Sequence, residues 1–570
     1  MNKTYPLYIQ ILLALLVVPW PNFKYLLDEH TVAYIGIVML SIMGITYGAI
    51  FTYYYTKKQY LYSLISSLIA SVELKLIYTA GLTWSGLNLI PQSILTFNII
   101  RDSLARGSFI RGNVQYLFDH YLQHPLFPVN LIIMEAYTNA PLSYIYALAG
   151  PIIGSFFGIS GIYLFVKYLV GRTDYAVLST VVLNSCVLFY NGYFLSYDRI
   201  GATLLALSLG VLLLMAKNIR VGNLKYLIPF YTLLGIGVAS SHFIPSFLFI
   251  ITAPLIIYAV HGRFKGAVNN LVMVAVIINI GWMVYLSKLD MTRAVKLLQN
   301  IISYFGEVSV PVTVSIYDPF YWFKYITFLS IALVGLLGVL GFLKSIVSRN
   351  DPLRSYIPMV LVIAGLIGYT LGIGWRKIYT DYSIRFIYYG YFFLAPFVVR
   401  GLYDLLRNLP HISKYVLFII VVIGYTGAAT GLHTYLFVRN YPIMSQEAIN
   451  YPLNNYYASQ WIISRHGKTR ICVCGLKNTF ITSYYGIGNI SLGIDHPLSI
   501  IDRIHGGCYI VLFSNIDELP YVWWKTKKII DDRDKEQLYG CVLCEYREYR
   551  CTVKIYDNGG IWVFKKWRLS

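Results

Sequence analysis

Charged residues are scarce in this chain of 570 residues: Asp, Glu, Lys and Arg make up 13% of it, and hydrophobic residues make up 57%. A soluble globular domain carries about a quarter charged residues, so the composition excludes that class. Apolar stretches long enough to cross a bilayer, about 20 residues each, recur from Tyr5 to about Val438. The sequence therefore predicts an α-helical polytopic membrane protein.

A cleavage site of small residues is missing after the first apolar stretch, where the bulky Pro19-Trp20-Pro21 stands instead. This absence favours a retained anchor over a signal peptide. We predict about thirteen transmembrane helices, near residues 6–22, 32–54, 60–82, 142–166, 175–193, 199–216, 226–242, 243–260, 267–287, 322–345, 356–374, 383–403 and 415–437.

Lys and Arg concentrate in every second loop between these spans. Loops that keep positive charge face the cytoplasm, so this alternation predicts a cytoplasmic N-terminus and an external C-terminal domain in a multi-pass protein of the cell (plasma) membrane. Outside the membrane region, no basic run is interleaved with aromatic residues. The net charge of +20 therefore does not indicate nucleic acid as a partner. Membrane lipid is the partner that it predicts.

Only seven cysteines are present, and six of them lie in the polar tail: Cys472, Cys474, Cys508, Cys541, Cys544 and Cys551. In an external domain, an even number favours disulfides, whose pairing the sequence leaves open. The spacing of Cys541 and Cys544 also suits zinc, with Cys472 and Cys474 as a second pair. We predict three regions: a transmembrane hairpin (1–56), a transmembrane core (57–440) with a long external loop (81–141), and an external domain (441–570).

The tail has the pattern of a small α/β domain. An amphipathic helix is predicted at Ala458–Arg465, and buried strands at Arg470–Cys474 and Tyr509–Phe513. Cys551–Tyr556 and Ile561–Lys565 flank the glycine-rich turn of a hairpin. Neither a nucleophile elbow nor a phosphate-binding loop is present, so we expect the tail to cover a site or to bind an acceptor.

Within the third span, Glu73 and Lys75 are two residues apart and cannot share a helix face. Ionisable residues are costly inside a membrane, so both are expected to face the interior of the bundle, with Lys75 reaching the interface as the alternative.

Three features resemble the GT-C superfamily of membrane glycosyltransferases, in particular its archaeal members. The long first external loop carries Asp102 and closes with Pro141-Leu-Ser-Tyr144. Asp198 lies where many members carry a second external acid. The late span reads Arg385-Phe-Ile-Tyr-Tyr-Gly-Tyr-Phe-Phe-Leu-Ala-Pro396-Phe, similar to a span of these enzymes.

The resemblance implies an enzyme that moves a sugar from a polyprenyl-phosphate donor to a protein, lipid or glycan acceptor on the external face. An acceptor hydroxyl needs a carboxylate to take its proton, and Asp102 is the predicted base. Arg376, Lys377 and Arg385 are predicted to hold the phosphate, because Arg matches its geometry. Asp198 or His242 would orient the acceptor or sugar, and His124 is a further substrate-binding candidate. No metal ligand and no cofactor are required, although a divalent cation is compatible with the reaction.

Each candidate also has a purely structural interpretation. Asp102 can pair with Arg101 or Arg106, and Asp198 can cap a helix. His242 can be an ordinary interfacial histidine, and Arg385 can anchor its helix at the headgroups. His124, with Asp119 and His120, can lie on a surface helix or bind a metal.

Two features of archaeal oligosaccharyltransferases are absent: the Trp-Trp-Asp-Tyr-Gly motif and a paired acidic motif in the first loop. These absences favour transfer of a single sugar. A multi-span transporter or flippase of lipid-linked or small-molecule substrates and a non-catalytic subunit of a glycosylation complex are the alternative functions. Internal repeats, which many transporters have, are not evident.

Overall fold

In this computed structural model the described residues are 4–17, 29–83, 126–138, 142–185, 197–217, 224–261, 266–286, 323–374, 380–437, 471–473, 489–491, 509–513, 521–522, 529–530, 552–557 and 561–566. Apart from helix ends, they form two compact units, the helices in one and the strands in the other.

The helical unit contains these α-helices in its described part: α1 (Tyr5–Val17), α2 (Glu29–Thr56), α3 (Tyr60–Thr83), α4 (Leu126–Thr138), α5 (Leu142–Val170), α6 (Thr173–Asn184), α7 (Tyr197–Lys217), α8 (Leu224–Ser241), α9 (Phe243–His261), α10 (Gly266–Gly281), α11 (Phe323–Val347), α12 (Ile357–Gly374), α13 (Thr380–Asn408) and α14 (Ser413–Phe437). A π-helical turn, Trp282–Leu286, follows α10 directly, and a short 3₁₀ turn, Arg354–Tyr356, precedes α12.

Every predicted span overlaps one of these helices. Among the described residues, six helices are long and apolar enough to cross a membrane: Tyr34–Thr56, Gly150–Val170, Ile200–Lys217, Phe243–Val260, Leu329–Val347 and Ser413–Thr430. A multi-pass membrane protein is therefore supported, while the number of thirteen crossings stays a prediction. Helix α4 was not predicted, although its apolar run, Leu126–Met134, was visible within the presumed first external loop.

Strand order in the second unit is β2-β1-β3-β7-β6, with β1 (Ile471–Val473) parallel to β2 (Asn489–Ser491) and to β3 (Tyr509–Phe513). The predicted hairpin is the antiparallel pair β6 (Thr552–Asp557) and β7 (Ile561–Lys566), and β7 also pairs with β3. Two further strands, β4 (Tyr521–Val522) and β5 (Ile529–Ile530), pair with each other. The predicted tail helix and five of the six tail cysteines lie outside the described residues, so the α/β class and the disulfides stay predictions.

Two glycines let α11 and α13 touch along their backbones. A Cβ on Gly401 would lie 2.1 Å from the carbonyl oxygen of Leu337, and one on Gly341 would lie still closer to the carbonyl oxygen of Phe397. Small residues at helix contacts are the usual means of close packing in membranes, where no hydrophobic force draws helices together. This pair of helices therefore depends on glycine.

A belt of hydrogen bonds crosses the bundle. The Tyr47 hydroxyl of α2 lies 3.0 Å from the Ser67 hydroxyl of α3, which accepts a bond from Thr180 of α6 at 2.8 Å. Asn184 donates to the Ser67 carbonyl at 2.8 Å and to the Tyr47 hydroxyl at 3.4 Å. We call these residues, Tyr47, Ser67, Thr180 and Asn184, the polar belt.

The same layer continues on both sides of the polar belt. On one side, Gln10 of α1 donates to the carbonyl of Ser66 and accepts from its hydroxyl. On the other, Ser330 of α11 donates to the carbonyls of Ser185 and Gly424, which lie at the end of α6 and in α14. The N-terminal hairpin is thus bonded into the helical unit.

The buried ionisable residues of α3 bind different neighbours, as their spacing predicts. Glu73 accepts a hydrogen bond from Tyr425 of α14 at 3.3 Å. Lys75 donates to Ser71 in its own helix and, at 2.9 Å, to Ser155 of α5. Both side chains are buried, so the prediction that they face the interior is confirmed.

At one end of the helical unit, ionic and polar contacts join α6 and α13 to the turn between α11 and α12. Arg400 of α13 pairs with Asp351 at 2.9 Å and with Asp404, and it donates to the Tyr175 hydroxyl of α6. Arg172 pairs with Asp174, and its guanidinium lies over the rings of Tyr175 and Tyr403. The hydrogen bonds to Asp174 raise the pKa of Arg172 above its usual value.

A further contact extends this end, which we call the basic end. A Cβ on Gly171 would lie 3.7 Å from the ammonium of Lys217, at the end of α7. Four of the loops predicted to be cytoplasmic therefore share one end, as their charge pattern requires. Which side of the membrane this end faces stays a prediction.

The substitution Gly401→Ala is expected to lower the free energy of unfolding by about 1–3 kcal/mol, the usual cost of overpacking, because its Cβ has no room against Leu337. Gly335→Ala in α11 is the matched control, since a Cβ there meets nothing within 4 Å. Thermal unfolding in detergent would measure both variants. Equal stability of the two would contradict the close contact.

Asn184→Leu is expected to cost about 1–2 kcal/mol, because it removes two interhelical hydrogen bonds of a kind that contributes about 0.6 kcal/mol each on average. Ser208→Ala is its control, since that hydroxyl bonds only to Leu204 of its own helix. Unfolding in mixed micelles would compare the two. A control that is as unstable as Asn184→Leu would argue against a role for the polar belt.

Candidate functional site

The end opposite the basic end holds the candidate residues that the structure describes. Asp198 lies 19 residues before Lys217 in α7, which at 1.5 Å per residue places it about 28 Å from the basic end. Arg385 lies 15 residues before Arg400 in α13, or about 22 Å away. The side chains of Asp198 and Arg385 lie outside the described part of the structure, whereas their backbones belong to α7 and α13.

His242 stands at a break between α8 and α9, and Pro245 explains the break. A proline has no N–H for the carbonyl four residues earlier and its ring collides with that carbonyl, which here belongs to Ser241. Ser240 and Ser241 instead donate to carbonyls of the last turn of α8.

The imidazole of His242 caps the first turn of α9. Its Nδ1 accepts the backbone N–H of Ile244 at 3.2 Å, while its carbonyl accepts the N–H of Ser246. An N-cap side chain bonds the orphan N–H groups of a helix start in this way. Because Nδ1 is the acceptor, the neutral imidazole carries its proton on Nε2. His242 can therefore donate a hydrogen bond through Nε2, and Nδ1 is not available as a base.

Helix α7 reaches this break through Gly201. A Cβ on Gly201 would lie 2.5 Å from Cγ of Pro245 and 2.6 Å from the Ser241 hydroxyl. Asp198 is three residues before Gly201, about one turn closer to the start of α7. The packing thus brings the helix start that carries Asp198 against the break that carries His242.

Helix α4 joins the same place. A Cβ on Gly237 of α8 would lie 3.8 Å from Leu126, the first residue of α4, and 3.3 Å from Leu204 of α7. His124 precedes Leu126 by two residues and lies outside the described residues. The starts of α4 and α7 and the α8–α9 break therefore form one cluster, which we call the convergence end.

Asp102, Arg376 and Lys377 also lie outside the described residues. The segment with Asp102 connects α3 to α4, and the bond from Lys75 to Ser155 joins α3 to α5. The segment with Arg376 and Lys377 connects α12 to α13. In the described part of the chain, no group of three His, Cys, Asp or Glu side chains could hold a metal ion.

Sequence reasoning missed a buried pair below the break. The Ser246 hydroxyl of α9 donates to Oδ1 of Asn279 of α10 at 2.7 Å, and both side chains are buried. The π-helical turn that starts at Trp282 follows, and such turns are frequent at functional sites. An asparagine inside the apolar run of α10 was the available signal.

No protein-family model matches the sequence, and no curated protein does. Solved structures of the oligosaccharyltransferase of Archaeoglobus fulgidus do match. One, tethered to an acceptor peptide containing an NVT sequon, is 13% identical with a TM-score of 0.51 and covers 81% of this chain and 70% of its own. Another, AglB with an inhibitory peptide and a dolichol-phosphate, is 12% identical with a TM-score of 0.50, over 81% and 70%.

These likenesses establish the fold, and the predicted resemblance to the GT-C superfamily is confirmed at that level. The protein is a polytopic membrane protein whose fold is similar to that of an archaeal oligosaccharyltransferase.

The substitutions His242→Asn and His242→Ala test whether the imidazole of His242 caps α9. Asn is a good N-cap, whereas loss of a cap to Ala costs about 0.5–2 kcal/mol. We expect His242→Ala to be less stable than wild type by about 1 kcal/mol and His242→Asn to be close to wild type. Thermal unfolding measures both, and equal destabilisation by the two substitutions would contradict the cap.

Proposed function

We propose that this protein is a membrane glycosyltransferase that moves a sugar from a polyprenyl-phosphate donor to an acceptor on the external face. The observation that carries the proposal is the convergence end, where Asp198 and His242 lie on neighbouring helices in a chain with this fold. A transporter or a non-catalytic subunit does not require an acid and a histidine on adjoining elements at this end.

The donor class is supported by one neighbour in shape, AglB, which binds a dolichol-phosphate. A polyprenyl tail stays in lipid, so its phosphate and sugar lie at the membrane surface. Arg376 and Lys377 belong to the segment between Gly374, where α12 ends, and Thr380, where α13 begins, and Arg385 lies five residues into α13. We assign these cations to the phosphate, which Arg binds through two parallel hydrogen bonds.

In the proposed reaction the acceptor oxygen forms a bond to the anomeric carbon of the sugar. The bond from that carbon to the phosphate oxygen breaks, and the polyprenyl phosphate leaves with the electron pair. Asp102 takes the proton of the acceptor, a task in which a positioned base contributes about 10²–10⁴ in rate. The departing phosphate is stabilised by the arginines, whose charge is fixed before the reaction begins.

Asp198 and His242 are assigned to orientation of sugar and acceptor. The Nε2–H of His242 suits a sugar hydroxyl or a phosphate oxygen, because both accept hydrogen bonds. His124, two residues before α4, is assigned to the same substrate. A divalent cation would add charge stabilisation at the phosphate, and the candidate acids for it are Asp102 and Asp198.

One neighbour in shape is tethered to an acceptor peptide, so a peptide belongs among the acceptors tested. Because the Trp-Trp-Asp-Tyr-Gly motif is absent, we propose transfer of one sugar and not of a whole oligosaccharide. The external side follows from the predicted topology, in which the basic end faces the cytoplasm.

The test is sugar release from radiolabelled polyprenyl-phosphate donors by the purified protein in lipid discs, with peptide and glycan acceptors and divalent ions present. We expect turnover by wild type and a loss of about 10²–10⁴ in Asp102→Asn. Asp290→Asn, an acid in another predicted external loop, is the control and should keep wild-type turnover.

Unchanged turnover in Asp102→Asn would contradict its role as base. That role would then pass to Asp198, or to Asp28 and Glu29, an acidic pair that the predicted topology also places on the external side. Wild type that turns over no donor would contradict the proposed function and favour the transporter or the non-catalytic subunit.

A further inference from the structure

We propose that Asn279 is a positioning residue that, through Ser246, fixes the α8–α9 break and thereby the imidazole of His242. The proposal rests on the proposed function only for its catalytic readout. Its structural content is a chain of hydrogen bonds that connects α8, α9 and α10 beneath the convergence end.

The chain begins at the cap. Ser246 is the residue whose N–H bonds to the carbonyl of His242, at 3.3 Å, in the first turn of α9. The hydroxyl of the same serine donates to Asn279 Oδ1 at 2.7 Å. One residue therefore ties the backbone of the break to a neighbouring helix.

Asn279 completes the connection with its amide N–H groups. Nδ2 donates to the carbonyl of Ala275 in its own helix at 2.8 Å and to that of Gly235 in α8 at 3.5 Å. Asn279 is completely buried and Ser246 is 1% exposed. In lipid no water can replace a lost partner, so a fully bonded asparagine specifies one arrangement of the three helices.

Two features show why this break needs such a connection. A helix interrupted by Pro245 lacks the continuous backbone ladder that would otherwise fix α8 relative to α9. The π-helical turn, which begins three residues after Asn279, is a second interruption in an adjacent helix. Asn279 lies between these two interruptions and bonds to both helices that flank the first.

Asn279→Leu removes all three side-chain bonds and keeps the number of heavy atoms and the branched shape of the side chain. The control is Thr252→Val in the same helix as Ser246, since the Thr252 hydroxyl is equally buried but bonds only to Leu248 of its own helix. Ser246→Ala is a second test variant, because it cuts the link to His242 and leaves the bonds of Asn279 to Ala275 and Gly235 in place.

The first readout is the ¹⁵N spectrum of labelled histidine in lipid discs, with the His242 signal identified by its loss in His242→Asn. We expect wild type to show one neutral form, protonated at Nε2. Asn279→Leu and Ser246→Ala should shift this signal or split it between two tautomers, and Thr252→Val should leave it unchanged. An unshifted signal in both test variants would overturn the proposal.

The second readout is kinetic. Asn279→Leu should lower kcat by about 10- to 100-fold, the size of effect that a small misplacement of a reacting group has, with KM little changed. If Asn279 acts through His242, the double variant with His242→Asn should be no slower than His242→Asn alone. If the losses in kcat of the two single variants multiply in the double variant, the proposal is overturned. A wild type without turnover would refute the proposed function, and the ¹⁵N signal would still decide the role of Asn279.

Discussion

The hydrogen bonds of the polar belt are the interaction on which the helical unit depends. Lipid offers no partner for a hydroxyl or an amide, so polar side chains must find partners within the protein, and Tyr47, Ser67, Thr180 and Asn184 find them across helices. Because the bonds cross between helices, they fix the position of each helix along its axis as well as its choice of neighbours. The N-terminal hairpin belongs to this arrangement because its second helix, α2, carries Tyr47. The two helices that precede the part of the chain with the candidate residues are therefore part of the packed helical unit.

Because the polar belt fixes the helices along their axes, it also determines where the two ends of the helical unit lie. At the basic end the acids pair inward with Arg172 and Arg400, so the turns between helices are tied together. At the convergence end there is no comparable ionic pairing among the described residues, and glycine contacts and capping bring the helix starts together instead. The basic end is therefore held by ion pairs, whereas the convergence end has the imidazole of His242 beside an interrupted helix.

The sequence predicted where the helices lie and that basic loops share one end, because apolar length and charge are properties of local segments. Its prediction for Glu73 and Lys75 followed from helical geometry alone. It did not predict that α7 packs on the α8–α9 break, since only the close contact of Gly201 with Pro245 reveals that neighbour. Nor did it predict helix α4 or the Ser246–Asn279 pair, whose partners are 33 residues apart.

Photo-crosslinking would test most directly whether the convergence end is where the donor binds. A polyprenyl phosphate with a diazirine next to the phosphate would be irradiated with the protein in lipid discs and the modified peptides identified by mass spectrometry. The account predicts labelling near Asp198 and in the α8–α9 break, reduced by excess unlabelled lipid phosphate. Labelling confined to the basic end, or competition that changes nothing at the break, would contradict it.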